Sequence, residues 1–204
     1  IKNLLDGDFN YNAYGEGYTK KESQRIESDF IINLKVIAST GKLALHFVKR
    51  KGDLVYKEHV HKFFNWIDDN KIDINKKNYL PFYHVYALLN GKSRSRLFKN
   101  KRLLIVTSYD INKKNSLEDY FYRRENVRSV NFVEISSAKS MMDKIDVSEY
   151  VGEIDLVLVG AGIGSINILI QLKPLSVPCI DIGYALECMA NNNLRRDRMF
   201  LELM

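Results

Sequence analysis

Asp155-Leu156-Val157-Leu158-Val159 runs directly into Gly160-Ala161-Gly162-Ile163-Gly164-Ser165 and then into the apolar-rich residues 166–172. A short apolar run, a glycine turn and a helix start make a strand–turn–helix unit. Its turn sits at the strand's carboxyl end, where a phosphate or other polar ligand can approach the main chain closely. Residues 103–107, 130–135 and 177–181 are further strand-like runs, while 117–124, 138–145 and 165–172 read as helices. Near-continuous apolar strands alternating with helices predict an α/β fold: a mainly parallel, Rossmann-like sheet flanked by helices, with its ligand edge at the strands' carboxyl ends.

The chain before this alternation reads differently. Residues 22–38 place Ile26, Phe30, Ile31, Leu34 and Ile37 at helical spacing, and residues 43–48 form a compact apolar run. Residues 59–67 put Val60, Phe63, Phe64 and Ile67 on one helical face; residues 79–89 read as an aromatic helix with Pro81 in its first turn. Residues 1–5 suggest a short strand ended by Asp6-Gly7-Asp8, 11–17 a turn-prone loop, and 92–100 a basic connector. With 204 residues and 46% hydrophobic content, a single domain over 1–204 is expected. The opening at Ile1 instead of Met suggests that a short N-terminal segment is missing.

Two cysteines, Cys179 and Cys188, with no CxxC or Cys/His cluster, suit a reducing compartment and argue against a disulfide scaffold. No apolar run approaches the roughly 20 residues needed to cross a bilayer, so a soluble, cytoplasmic protein is expected. The net charge of +6 is spread over Lys/Arg clusters such as Lys49-Arg50-Lys51 and Arg123-Arg124. Such clusters suit a phosphorylated substrate or peripheral association with the anionic inner face of a membrane. None follows a nucleic-acid-binding motif, so no nucleic-acid partner is expected.

Gly160, Gly162 and Gly164 form GxGxG. A dinucleotide fingerprint needs glycine where Ser165 stands, although Asp181 meets its demand for an acid roughly 20 positions later. An NAD-dependent or S-adenosylmethionine-dependent Rossmann enzyme therefore stays open, as does the reading that these glycines only let strand and helix pack closely. Asp181 closes the last strand-like run, where open α/β sheets place groups that bind ribose or sugar hydroxyls; capping the next helix is the competing role. Glu187 is a candidate general base or a solvated helix residue. Asp6 and Asp8 could converge on Mg²⁺ or Mn²⁺, or Asp6 could stabilise a local Asp-Gly turn. The four histidines, His46, His59, His61 and His84, show no catalytic or metal-ligand arrangement.

The order of these features resembles the bacterial glycosyltransferases of the GT-D fold. The matching pieces are Asp6-Gly7-Asp8-Phe9-Asn10, Gly15-Glu16-Gly17, the step from Phe98-Lys99-Asn100-Lys101-Arg102 into Leu103-Leu104-Ile105-Val106, Val159-Gly160-Ala161-Gly162, and Cys179-Ile180-Asp181-Ile182-Gly183-Tyr184. The match spans nearly the whole chain. It implies a single GT-D-type domain that moves a sugar from a nucleotide-diphosphate donor, a UDP-sugar foremost, to a bacterial surface glycan or glycoprotein. By the same resemblance Asp6 and Asp8 hold Mn²⁺ or Mg²⁺. Asp6, Gly7, Asp8, Gly160, Gly162, Gly164 and Asp181 contact the donor, with Asp181 and Glu187 in the catalytic set. The chain departs from the family pattern at Asn3 in place of Arg, Asp8 in place of Glu and Tyr184 in place of His. These departures keep a further reading open: a catalytically silent relative that binds a nucleotide sugar or a partner enzyme.

Overall fold

The computed structural model describes residues 18–45, 54–81, 83–90 and 93–191. The expected first strand, Asp6, Gly7, Asp8 and the loop at 11–17 lie outside the described residues. Where the sequence reading takes one domain, the chain divides into two compact units, Ile1–His84 and Val85–Met204.

In the first unit, helix α1 (Lys20–Thr40) opens with a capping box: the Thr19 hydroxyl accepts the Glu22 N–H (3.2 Å) and the Glu22 carboxylate accepts the Thr19 N–H (2.7 Å). Ile26 and Leu34 are buried along α1, as the spacing predicts, and Ala38 joins them, while Phe30, Ile31 and Ile37 are half-buried. Strand β1 (Leu43–Leu45) is followed by helix α2 (Leu54–Asp69) and strand β2 (Tyr79–Pro81), which pairs parallel to β1. Buried Asn78 fixes the turn before β2, donating to the carbonyls of Ala38 (2.8 Å) and Asp73 (2.7 Å). The expected helix over 79–89 is thus shorter: Tyr79–Pro81 is strand, and helix α3 covers only Tyr83–Asn90. Pro81 explains this, because the residue before a proline is pushed out of the helical region towards extended geometry.

The second unit contains helix α4 (Arg94–Phe98), strand β3 (Arg102–Thr107), helix α5 (Ile111–Tyr120) and strand β4 (Ser129–Glu134). Strand β5 (Leu156–Gly160), helix α6 (Ser165–Gln171), strand β6 (Cys179–Asp181) and helix α7 (Tyr184–Ala190) follow. The four strands form one parallel sheet in the order β4-β3-β5-β6. Leu103, Leu104, Ile105, Val106 and Val157, Leu158, Val159 are wholly buried, as expected for strands covered on both faces. Leu104, Val106, Val157 and Val159 pack with Ile168 and Leu172 of α6. Alternate residues point to the other face, where α5 packs against α7 and Leu117, Leu186 and Met189 are buried. Arg102 and Asp155 tie the amino ends of β3 and β5 together: the Asp155 carboxylate accepts the Arg102 N–H (2.8 Å) and its guanidinium (3.1 and 3.2 Å).

Three sequence expectations are corrected here. The connector at 92–100 holds α4, whose Arg94 reaches the buried Glu125 and the Tyr120 hydroxyl. The helix expected at 117–124 starts six residues earlier, because Asp110 caps α5 by accepting the Lys113 N–H at 3.0 Å, and its last turn widens into a π-helical segment, Phe121–Glu125. Residues 138–145 form turns and no helix. Side chains there take up the backbone groups that a helix would pair: the Ser136 hydroxyl accepts from Ala138 (3.2 Å) and Lys139 (2.9 Å), and Asn167 and Gln171 both donate to the Asp143 carbonyl (3.0 and 2.9 Å).

Candidate functional site at the carboxyl edge of the parallel sheet

The strand order places a switch point between β3 and β5, since the chain leaves β3 for β4 on one side and leaves β5 for β6 on the other. Loops after two such strands diverge and open a crevice at their carboxyl ends. The loops here are 108–110 after β3 and 161–164 after β5, with Thr107 and Gly160 in register at the rim.

Gly160, Gly162 and Gly164 share one motif and have different tasks. A Cβ on Gly160 would stand 2.5 Å from Leu186 Cδ2 of α7, and one on Gly164 would stand 2.4–2.6 Å from Ser140, its backbone carbon included. These two glycines permit close packing. Gly162 has φ +55° and open space around it, so its requirement is conformational. The turn Gly162–Gly164 is 3₁₀, and it uses its own amides: Gly164 N–H goes to the Ala161 carbonyl (3.0 Å) and Ser165 N–H to the Gly162 carbonyl. Amides satisfied in this way are withdrawn from any bound phosphate.

Asp181 ends β6. Its Oδ1 accepts the Gly183 N–H at 3.1 Å, closing a turn in which Gly183 adopts φ +47°, and the Ile182 N–H extends the pairing with β5 by donating to the Val159 carbonyl (3.0 Å). The Asp-Ile-Gly sequence follows from this geometry: an acceptor, a buried apolar residue and a left-handed glycine. Asp181 does not cap α7, whose cap residue is Gly183. The Ser165 hydroxyl donates to the Gly162 carbonyl at 3.0 Å, and Ser165 lies close enough to favour the charged form of Asp181. Water reaches Asp181, while protein crowds around it as on the floor of a shallow bay. Lost hydration raises its pKa above the usual Asp value, and Ser165 and the hydrogen bond from Gly183 only partly oppose that.

Glu187 lies on α7 and accepts from Lys113 Nζ at 2.8 and 3.1 Å, joining α7 to α5. Burial acts to raise its pKa, but Lys113 and the Tyr109 hydroxyl outweigh that and hold it below the ordinary Glu value. Lys113 also stands 4.8 Å from the centre of the Tyr109 ring. Glu187 was a candidate in the sequence, whereas its partners Tyr109 and Lys113 were missed there, the only signal being their place soon after an apolar strand. Thr107 was missed too. It is fully buried at the end of β3, and its hydroxyl has no hydrogen-bond partner among the described residues.

Among the described residues, no group of three or more His, Cys, Asp or Glu side chains could hold a metal ion. Cys179 is half-buried and Cys188 buried, with no disulfide between them, and burial pushes the Cys179 thiol up to about 11. No helix is long and apolar enough to cross a membrane among the described residues. No family model, curated protein or solved structure matches the chain.

Proposed function

We propose that this chain is a glycosyltransferase of the GT-D kind that takes a nucleotide-diphosphate sugar, a UDP-sugar foremost, at the carboxyl edge of its parallel sheet. The observation that carries the reading is Asp181: an accessible carboxylate of raised pKa at the end of β6, whose Oδ1 accepts the Gly183 N–H beside the glycine turn. A carboxylate so placed accepts a hydrogen bond from a sugar hydroxyl, and its raised pKa makes it a better proton acceptor than an ordinary surface Asp. Glu187 is the poorer base, because Lys113 stabilises its charged form; its part is to hold Lys113 and Tyr109 at the switch point. The self-satisfied amides of Gly164 and Ser165 and the packing roles of Gly160 and Gly164 weaken a phosphate-cradling role for the glycine turn, for a dinucleotide and for a nucleotide-diphosphate sugar alike, so the reading rests on Asp181.

No described set of residues fits a divalent cation, so Mn²⁺ or Mg²⁺ at Asp6 and Asp8 rests on the resemblance alone. A bacterial surface glycan or glycoprotein as acceptor has the same standing. The test is thermal-shift screening against UDP, UDP-sugars, GDP-sugars, NAD and S-adenosylmethionine, each with and without Mn²⁺, because a ligand that binds the folded state raises the melting temperature. A UDP-sugar shift that needs Mn²⁺ and is followed by UDP release is the expected result. A shift without release would identify a silent sugar-nucleotide binder, and shifts with NAD or S-adenosylmethionine alone would overturn the proposal.

A further inference from the structure

The opposite, amino-terminal edge of the sheet gathers positive charge. Residues 99–101 lead into β3 and residues 126–128 into β4, and they are laced together: Asn100 N–H donates to the Asn126 carbonyl (2.9 Å) and Arg128 N–H to the Lys101 carbonyl (2.8 Å). Four of the acids on these segments are already engaged. Glu125 pairs with Arg94, Glu153 and Asp155 with Arg102, and Asp119 with Arg123. Arg96, Lys99, Arg124 and Arg128 are exposed and have no acidic partner among the described residues. Arg124 stands 5.8 Å from the centre of the Tyr120 ring, beside a surface hollow lined by Ser116, Asp119, Tyr120, Arg123, Arg124, Met189 and Ala190, where Asp119 is taken up by Arg123. Two large apolar side chains are exposed in the segments entering this edge: Tyr122, whose hydroxyl accepts the Val130 N–H, and Val151 in the turn before β5.

From this arrangement we infer that the amino edge of the sheet docks on an anionic phospholipid surface, with headgroup phosphates meeting Arg96, Lys99, Arg124 and Arg128. Unpaired cations with an exposed Tyr at the same rim match the layered chemistry of a membrane interface: phosphate, then glycerol backbone, then acyl chain. A single-stranded nucleic acid would instead call for a row of aromatic platforms, which this edge does not present among the described residues. Docking in this way leaves the carboxyl edge, with Asp181, turned away from the bilayer. The inference does not depend on the transferase reading, because the two concern opposite edges.

Cosedimentation with vesicles tests it. The full chain is expected to bind phosphatidylcholine vesicles containing phosphatidylglycerol, to ignore pure phosphatidylcholine, and to be released by salt. Each basic side chain at such a surface is worth roughly a fivefold change in partitioning, so the combined Arg96→Gln, Lys99→Gln, Arg124→Gln, Arg128→Gln variant should bind about six-hundredfold more weakly. These side chains are exposed, so an unchanged melting temperature shows that the variant is folded. A Lys35→Gln, Lys144→Gln variant, which removes exposed charge elsewhere, should keep most of the vesicle affinity. Absence of binding to the anionic vesicles, or equal loss in both variants, would overturn the inference. So would tighter binding to single-stranded RNA than to vesicles, lost in the fourfold variant.

Discussion

Asp181 carries a burden that a purely structural carboxylate would shed. An acid whose folded pKa lies above its unfolded value, near 4, loses stability as pH rises from the unfolded pKa through the folded one; the penalty is absent in strong acid and complete only above the folded pKa. Asp181→Asn keeps an oxygen for the Gly183 N–H but removes the charge. The variant is expected to melt higher than the parent at pH 7 and to match it below about pH 3, while sugar transfer falls at least about tenfold. Melting curves across pH, paired with nucleotide release, check both halves. Equal melting at neutral pH would remove the desolvation account, and unchanged turnover would reduce Asp181 to a turn residue. Thr107 carries a similar burden, since a buried hydroxyl without a partner costs about 1–3 kcal/mol. Both strained positions lie at the carboxyl ends of strands.

At the scale of elements, one carboxylate ties the amino ends of β3 and β5. Hydrogen bonds from the Arg102 guanidinium, and then from its backbone N–H, hold the Asp155 pKa below the usual range. A depressed acid contributes stability that is present above its unfolded pKa and lost as pH falls through the folded one. Asp155→Asn should therefore lower the melting temperature at pH 7, and the gap from the parent should close below about pH 3, as circular dichroism melts would show. The strands were legible because burial on both faces writes unbroken apolar runs such as Leu103-Leu104-Ile105-Val106. Helix α1 was legible from its spacing, and its true start was also written, in Thr19 and Glu22. Residues 138–145 were not legible, because their turns are held by Asn167 and Gln171, which lie far away in sequence. The site was legible at Asp181, and at the glycines as a motif. Which glycine packs and which bends depends on Leu186 and Ser140, contacts that no local pattern records.

Across the second unit, protection from solvent should follow strand order. The central strands β3 and β5 are fully buried, whereas β4 and β6 form the edges. Hydrogen exchange is expected to be slowest for the amides of residues 103–106 and 157–159, and faster in β4 and β6. Uniform exchange across the sheet would show that it opens as one piece. The order β4-β3-β5-β6 also has a consequence during synthesis. The ribosome makes β3 first of the four, yet β3 ends up between two strands made later. At about 5–20 residues per second, its apolar segment waits several seconds for β5 to emerge. During that time it is a bare, uncharged β-prone stretch of the kind that joins nascent chains together. Lys99, Lys101 and Arg102, directly upstream, act there as gatekeepers, keeping neighbouring chains apart until the central strand has both of its partners.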